Sequence, residues 1–273
     1  MLAKRAESRK VVGILALQGA FVEHLATLEK LAFQYRLEVI LVKTPEELAR
    51  CDALVIPGGE STTIALLARL SGVLDPLREF VRTKPVWGTC AGAILLSQAV
   101  ENAKKGGQEL LGGMSITIAR NGWGSQVESF EAALTVDGLQ NPDVPFTGVF
   151  IRAPVVIKLH PAPEDSPIQV VARLSPDLLP PSLASPDHSD EPKIFVALRQ
   201  GKHFLTTFHP ELTDDNRFHE YFIRECVLSQ CRRIYEVQDS LRLLPEHGYV
   251  SSFCMLHYMK FERFVRKYEK EEP

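Results

Sequence analysis

The strongest constraint on the fold is an alternation of short apolar runs with stretches whose apolar residues recur at helical spacing. The runs, none of which contains a charged residue, lie at 11–17, 39–42, 53–56 and 86–87. Strands that are buried on both faces of a parallel sheet have this continuous apolar character. Residues 23–33 and 62–70 instead place leucine and isoleucine at intervals of three and four, which is typical of amphipathic helices. The alternation predicts an α/β fold with a parallel sheet wrapped by helices.

Further strand-like runs at 146–157, 194–198 and 204–208 precede a helical pattern at 213–227. One domain is therefore expected over residues 11–228.

Three segments fall outside that domain. Residues 1–10 form a charged N-terminal extension. Residues 161–192 are rich in proline, serine and acidic residues, and this composition predicts a surface insertion that is at least partly disordered. Residues 229–273 form a C-terminal extension whose aromatic and basic residues predict an amphipathic helix of unknown role.

Composition excludes several classes of function. The hydrophobic fraction of 45% is that of a globular chain, and a net charge of −3 gives no reason to expect nucleic acid or a membrane surface as a partner. No apolar run is long enough to span a bilayer and no secretory leader is evident, so we expect a soluble cytoplasmic protein. The five cysteines include no C-x-x-C pair, so we expect reduced thiols and neither a disulfide framework nor a metal site.

The sharpest chemical signal is the sequence GTCAG at 88–92, which follows an apolar strand and opens a helical stretch at 93–100. Glycines on both sides of a central nucleophile permit a tight strand-to-helix turn that exposes the middle side chain. The backbone N–H groups at the start of the helix favour a thiolate and can also bind an oxyanion. A lone cysteine is more often a small buried apolar residue, but this setting favours Cys90 as a nucleophile.

A thiolate nucleophile needs a base, and FHPE at 208–211 supplies one after a strand-like run. In extended chain, residues two apart point to the same side, so Glu211 can orient the ring of His209. Pro210 supports this geometry because it disfavours helix at the residue before it. A single histidine is usually structural, but the histidine–glutamate pair with the Cys90 turn favours a catalytic interpretation.

Two other segments are candidates for substrate binding. PGGEST at 57–62 follows a buried strand, and its glycines permit a loop that turns N–H groups toward a ligand, although the spacing of a phosphate loop is absent. Arg152 lies in an apolar strand-like setting, where a guanidinium requires an anion. The anion is either a structural partner or the α-carboxylate of an amino acid held by two hydrogen bonds.

Taken together, the motifs closely resemble those of the glutaminase subunits of pyridoxal 5′-phosphate synthase, which are triad glutamine amidotransferases of vitamin B6 biosynthesis. The resemblance covers about residues 11–225 and is carried by LQGA (17–20), EH (23–24), PGGEST (57–62), GTCAG (88–92), RN (120–121), SFE (129–131), FIRAP (150–154) and FHPELT (208–213). The cysteine turn and the His-Pro-Glu sequence alone would indicate only the wider amidotransferase class.

The resemblance implies a flavodoxin-like three-layer sandwich of the class I glutamine amidotransferase type, with a mostly parallel sheet. It assigns catalysis to Cys90, His209 and Glu211, and an oxyanion hole to the N–H groups of Gly59 and Ala91. It also implies glutamine-binding residues, which are Gly59, Glu60, Ser61, Arg120, Ile151 and Arg152.

The resemblance further implies a division of labour between two subunits. This chain would hydrolyse L-glutamine to L-glutamate and ammonia without a cofactor or metal, and the ammonia would pass to a partner synthase that makes pyridoxal 5′-phosphate. Two alternatives remain open on the sequence alone. One is an amidotransferase subunit of another pathway, and the other is a catalytically silent regulatory or binding relative of the same fold.

Overall fold

The structure is a computed structural model that describes residues 9–103, 106–123, 129–179 and 191–229. The chain divides into two compact units, Met1–Gln230 and Cys231–Pro273. The second unit, and with it the amphipathic helix predicted for the C-terminal extension, lies outside the described residues.

The first half of the chain alternates strands and helices as the sequence predicts. Its elements are β1 (Lys10–Leu15), α1 (Phe21–Tyr35), β2 (Leu37–Val42), α2 (Pro45–Ala49), β3 (Ala53–Ile56), α3 (Ser61–Leu70), α4 (Leu74–Thr83), β4 (Val86–Thr89), α5 (Ala91–Leu96) and β5 (Ser97–Glu101).

The second half is mostly strand. Its elements are β6 (Met114–Ala119), β7 (Ser129–Val136), β8 (Phe146–Ile151), β9 (Val155–Leu159), β10 (Ile168–Arg173), α6 (Glu191–Ile194), β11 (Phe195–Gln200), β12 (His203–Thr206) and α7 (Arg217–Tyr221), after which the chain continues as π-helix over Phe222–Leu228. Short 3₁₀ turns at Pro176–Leu178 and Pro210–Leu212 complete the described elements.

Two sheets are formed by the described strands. The larger has the order β2-β1-β3-β4-β12-β11-β10-β7-β8, and the smaller has the order β5-β6-β9. Neighbours are parallel from β2 to β12, whereas every pairing from β12 to β8 is antiparallel. The predicted parallel sheet is thus confirmed for the part that follows the β-α-β alternation, and an antiparallel extension continues it.

Helices cover both faces of the parallel part, which gives the three-layer arrangement. Successive residues of β1 enter different cores: Ile14 belongs to the hydrophobic cluster that contains Leu28 of α1 and Phe218 of α7, whereas Leu15 belongs to the cluster that contains residues of α3, α4 and α5. This division follows from the period of two along a strand, which sends successive side chains to opposite faces. The described helices include none that is long and apolar enough to cross a membrane.

Three expectations from the sequence require correction. The predicted helix 93–100 ends at Leu96, and Ser97 begins β5. The strand-like run 146–157 is two strands, β8 and β9, which belong to different sheets. The segment 161–192 is not an insertion over its whole length, because Ile168–Arg173 forms β10 within the large sheet; residues 180–190 lie outside the described ranges.

Candidate active site

The residues predicted to carry chemistry lie where the parallel strands end. β3 ends before the loop that contains Gly58 and Gly59, β4 ends directly before Cys90, and β12 ends shortly before His209. β3, β4 and β12 are adjacent and parallel, so their carboxyl ends meet at one edge of the sheet. This edge is where open α/β sheets place their ligands.

Cys90 occupies a strained turn between β4 and α5. Its backbone has φ of 46° and ψ of −102°, which is a conformation that residues other than glycine rarely adopt. The two flanking glycines make the turn possible by close packing. A Cβ at Gly88 would lie 2.4 Å from the carbonyl oxygen of Gly92, and a Cβ at Gly92 would lie 2.0 Å from the carbonyl oxygen of Ile56. The structure therefore contains the tight turn that GTCAG predicts.

His209 lies beside Cys90 from the end of the neighbouring strand, and Glu211 lies behind His209. The His209 Nδ1 atom lies 2.7 Å from Oε1 of Glu211, and both side chains are buried. Gly58 allows the ring to come this close, because a Cβ at Gly58 would lie 2.3 Å from Cε1 of His209 and 3.3 Å from Cβ of Cys90. The structure thus brings together the three residues that the sequence predicts as a catalytic triad.

The electrostatics of this cluster favour a charged histidine. Burial by itself lowers the pKa of His209, but hydrogen bonds to Cys90 and Glu211, together with their negative charges, raise that pKa to about 10. An imidazolium between a thiolate and a carboxylate is the arrangement that activates a cysteine nucleophile.

The structure describes two other cysteines, Cys51 and Cys226, and both are buried. Burial raises the pKa of Cys51 to about 11 and that of Cys226 to about 12, so both thiols stay protonated at neutral pH. Among the residues that the structure describes, no histidine acts on the pKa of either thiol. They are small apolar core residues.

A pocket of about 340 Å³ opens in front of Cys90. It is lined by every residue that the sequence predicts for substrate binding or for the oxyanion hole, together with Cys90 and His209: Gly59, Glu60, Ser61, Ala91, Arg120, Ile151 and Arg152. Glu211 lies behind His209 and does not line this pocket. The volume matches a ligand the size of an amino acid.

One wall of the pocket is a fixed pair of charges. Glu60 accepts hydrogen bonds from the Thr63 N–H group and side chain at the start of α3, and its other oxygen accepts one of 2.8 Å from Arg120. Burial alone would raise the pKa of Glu60, but the hydrogen bonds from Thr62, Arg120 and Thr63 lower it well below the usual range. Glu60 is therefore a carboxylate throughout the neutral range, and it holds Arg120 at the rim.

Two backbone N–H groups are available to an oxyanion. Ala91 is the first residue of α5, so its N–H group has no partner inside the helix. The Gly58 carbonyl accepts a hydrogen bond from the N–H group of Ala20, at 3.0 Å. In a trans peptide the N–H group of Gly59 points the opposite way, and within the described residues it donates to no other group.

Arg152 differs from the expectation of a buried strand residue. It follows the last residue of β8, has φ of 42°, and is exposed at the pocket mouth. Among the residues that the structure describes, no carboxylate lies within ion-pair distance of it. The buried structural ion pair that the sequence left open is thus absent from the described part of the chain, and the guanidinium faces solvent and the pocket.

Sequence reasoning missed four residues that line the pocket, Gln18, Ile94, Asn121 and Pro154, and it also missed Gln108, which supports the pocket wall from outside. Gln108 accepts hydrogen bonds from Arg120, at 2.6 Å, and from the hydroxyl of Ser61, at 2.9 Å. It follows two glycines in an irregular loop, where neither periodicity nor a motif marks it. In the described ranges no group of three or more histidine, cysteine or acidic side chains is arranged to hold a metal ion.

Comparison with known proteins agrees with this fold. The family model of the SNO glutamine amidotransferases matches residues 14–228, and the chain belongs to that family. A solved structure described as a glutamine amidotransferase has a TM-score of 0.62 and 41% identity, over 78% of this chain and 97% of its own length. The class of protein is therefore a glutamine amidotransferase.

Two curated relatives show which glutamine amidotransferases this chain resembles. The chain is 44% identical over 220 residues to the probable pyridoxal 5′-phosphate synthase subunit PDX2 of Arabidopsis thaliana, which covers 78% of this chain and 84% of that relative. It is 45% identical over 213 residues to the pyridoxal 5′-phosphate synthase subunit PdxT of Streptomyces coelicolor, over 78% of this chain and 91% of the relative. The similarity to a vitamin B6 branch of amidotransferases is thus confirmed.

Proposed function

We propose that this chain is the glutaminase subunit of a pyridoxal 5′-phosphate synthase, and that Cys90, His209 and Glu211 hydrolyse the side-chain amide of glutamine. The observation that carries the proposal is the position of Cys90, in a strained turn at the floor of an amino-acid-sized pocket and in contact with His209, whose ring is paired with Glu211.

In the first half of the reaction, the Cys90 thiolate attacks the amide carbon of glutamine. The carbonyl oxygen becomes negatively charged and accepts hydrogen bonds from the N–H groups of Gly59 and Ala91. His209, which is the imidazolium of the ion pair, donates its proton to the nitrogen as the C–N bond breaks. Ammonia leaves, and a glutamyl thioester remains on Cys90.

In the second half, His209 is neutral and acts as a base toward water. The water oxygen bonds to the thioester carbon while His209 takes its proton, and the same two N–H groups stabilise the oxyanion. The C–S bond then breaks, which releases glutamate and restores the thiolate beside the imidazolium. Glu211 fixes the ring orientation in both steps through its 2.7 Å contact with Nδ1.

The pocket rim supplies the groups that an amino-acid substrate requires. The guanidinium of Arg152 is exposed at the mouth and suits the α-carboxylate, while the Glu60 carboxylate suits the α-ammonium group. Arg120, Ser61 and Ile151 complete the binding surface. These charges stay constant during the reaction, so they contribute to substrate binding more than to the chemical step.

The names of the relatives from Arabidopsis thaliana and Streptomyces coelicolor support a partner synthase that receives the ammonia. A cytoplasmic location suits a reactive thiol that must stay reduced. We assign catalysis to residues 11–228, with the extensions at 1–10 and 229–273 and the remainder of the 161–192 segment dispensable for the chemistry.

The experiment that tests this function measures glutamate release from glutamine by the purified full-length chain, alone and with a pyridoxal 5′-phosphate synthase subunit from the same source. We expect glutamate release in the mixture, and pyridoxal 5′-phosphate formation with glutamine as the only nitrogen source. A mixture that forms pyridoxal 5′-phosphate from added ammonia but not from glutamine would contradict the proposal and favour a catalytically silent relative.

A further inference from the structure

Two buried histidines lie behind the triad, on the side away from the pocket. His24 on α1 and His219 on α7 are fully buried, and Nδ1 of His24 lies 2.9 Å from Nε2 of His219. The ring of Trp87 packs edge-on against both, with centroid distances of 5.4 Å to His24 and 4.8 Å to His219. Neither histidine lines the pocket, and the reaction described above uses neither.

His24 also contacts the catalytic carboxylate. Its Nε2 atom lies 3.4 Å from Oε2 of Glu211 and 3.2 Å from the hydroxyl oxygen of Thr89, the residue before Cys90. The Oε1 atom of Glu211 is occupied by His209. Within the described residues Oε2 forms no hydrogen bond; Nε2 of His24 lies within ion-pair distance of it, but its hydrogen bond in the structure is with the Thr89 hydroxyl.

Both histidines are neutral at physiological pH. Burial, followed by the neighbouring rings of His219 and His209, lowers the pKa of His24 well below its usual range. Burial lowers the pKa of His219 to about 3. A neutral imidazole carries one N–H donor and one acceptor nitrogen. The tautomers of the two rings therefore determine which histidine donates the hydrogen bond between them.

The buried polar atoms that each arrangement leaves without a partner show which histidine is the donor. In one arrangement, His24 donates from Nδ1 to His219, which leaves a lone pair of His24 Nε2 facing the Glu211 carboxylate and a buried N–H group at Nδ1 of His219 without a partner. In the other, His219 donates from Nε2 to His24, and His24 donates from Nε2 toward Glu211 and Thr89. The second arrangement leaves only an acceptor nitrogen unpaired, which costs less than a buried donor beside a repelling lone pair.

We propose that His24 is a positioning residue for the triad: it donates from Nε2 to the second oxygen of Glu211, and His219 fixes the tautomer that makes this possible. The inference rests on the proposed function, because it assigns Glu211 the role of orienting His209. A carboxylate that accepts a hydrogen bond at each oxygen cannot rotate freely, so both the ring of His209 and its positive charge stay directed at Cys90.

The pH dependence of Cys90 reactivity depends on the titratable side chains around Glu211 and His24. Among the described residues, Glu211 contacts His209 and His24, His24 contacts His219, and Cys90 lies beyond His209. Loss of the His24 donor leaves a buried carboxylate with one partner, which weakens its stabilisation of the imidazolium. The imidazolium then stabilises the thiolate of Cys90 less, so Cys90 becomes less reactive.

Two substitutions at one position separate positioning from packing. A glutamine at residue 24 retains a donor close to the place of Nε2, whereas an asparagine retains only a group close to Nδ1 that can face His219. The readout is the pH dependence of iodoacetamide alkylation at Cys90 in the full-length chain, followed by peptide mass spectrometry. This readout requires neither glutamine nor a synthase, and the raised pKa values of Cys51 and Cys226 keep those thiols slow.

We expect His24→Asn to slow both the alkylation of Cys90 and glutamine hydrolysis at neutral pH by about tenfold. His24→Gln should stay within about threefold of the unchanged protein. His203→Gln is the matched control. His203 is a buried histidine on β12, outside the pocket, and its substitution should lower thermal stability without moving the profile.

Equal profiles for His24→Asn and His24→Gln, or a Cys90 alkylation rate at neutral pH that His24→Asn leaves unchanged, would overturn the proposal. Nitrogen-15 NMR of the histidine rings in the unchanged protein provides a measurement that needs no variant to fold, and it should find His24 protonated at Nε2. Protonation at Nδ1 would also overturn it. Failure of the triad gives a different result, because Cys90 of the unchanged protein would then alkylate as slowly as Cys51.

Discussion

The parallel and antiparallel parts of the large sheet contribute different residues to the pocket. The parallel part, β2-β1-β3-β4-β12, ends in the loops that hold Cys90, His209 and the two glycines at 58–59. The antiparallel part, β11-β10-β7-β8, contributes Ile151 and Arg152 to the rim of the pocket. Parallel strands bring several loops to one edge, so reacting groups collect there, whereas an antiparallel extension supplies a wall.

This comparison has a simple consequence for substitutions. Changes at the ends of the parallel strands should reduce turnover with little loss of stability, because the side chains lie in a preformed site. Changes in the antiparallel part, or in the side chains that anchor its connections, should reduce stability or substrate affinity while the chemical step is retained. The four predictions below test that division, from the largest expected effect to the smallest.

Cys90→Ala should reduce glutamine hydrolysis by about a thousandfold or more, because it removes the nucleophile. Its effect on folding should be small, since the side chain fills little of the core and the substitution leaves the strained backbone of residue 90 in place. Steady-state assays and thermal unfolding of the same preparation measure both quantities. Retention of a tenth of the original turnover would remove Cys90 from the mechanism.

Glu211→Gln should reduce turnover by about a hundredfold, which is less than the loss of Cys90, because Glu211 acts through His209 and does not touch the substrate. The loss in the double variant Cys90→Ala/Glu211→Gln should be close to that of Cys90→Ala alone, since the residues act as one unit. Multiplied losses in the double variant would show that Glu211 acts independently of the triad.

Arg217→Met should lower the free energy of unfolding by about 2 kcal/mol while kcat is retained. The Arg217 guanidinium pairs with Asp215 and donates to the backbone carbonyls of Asn141, Val144 and Pro145 in the connection before β8. Methionine keeps most of the apolar stem but leaves those acceptors without a donor. Arg173→Met is a matched control: within the described residues the Arg173 guanidinium pairs with the exposed Asp137 and lies over the ring of Phe195, and its loss should cost about 0.5 kcal/mol. Similar unfolding midpoints in denaturant would contradict this assignment.

Arg152→Leu should raise KM for glutamine by about tenfold with little change in kcat, because the lost contact is to a carboxylate whose charge is constant during the reaction. Thermal stability should be unchanged, since the side chain is exposed and pairs with no carboxylate in the described part of the chain. A fall in kcat with KM unchanged would place Arg152 in the chemical step and break the division between the two parts of the sheet.

The same division explains what the sequence could predict. Each of the five strands of the parallel part contains a continuous apolar run, so these strands follow from that pattern, and the motifs at their ends follow from glycine and proline chemistry. For β12, the predicted run 204–208 extends beyond the strand, which ends at Thr206, and includes the two residues before His209. The site motifs were found because each one requires unusual backbone geometry that restricts its sequence.

The antiparallel part is harder to predict because two of its four strands, β7 and β10, are not continuous apolar runs. β7 alternates exposed and buried residues along its length, and β10 lies in a segment whose prolines and serines suggest an insertion. β8 and β9 merge into one run because only Arg152 to Pro154 separates them, and nothing local shows that they enter different sheets.

The contacts of the residues behind the site could not be predicted from the sequence, for another reason. His24 occupies the buried face of α1, and His219 lies near the end of the domain, 195 positions away in the sequence. Their contact depends on α1 and α7 covering the same face of the sheet, which local patterns do not encode. Gln108 likewise supports the pocket wall only when its loop reaches Arg120.

The measurement that tests the central claim most directly is detection of the acyl intermediate. The protein is mixed with glutamine, quenched in acid after a short interval, and digested for peptide mass spectrometry. The account predicts a glutamyl group in thioester linkage at Cys90 and at no other cysteine, and its absence in Cys90→Ala. Glutamate formation at an undiminished rate in Cys90→Ala, or a glutamyl group on another residue, would contradict the account.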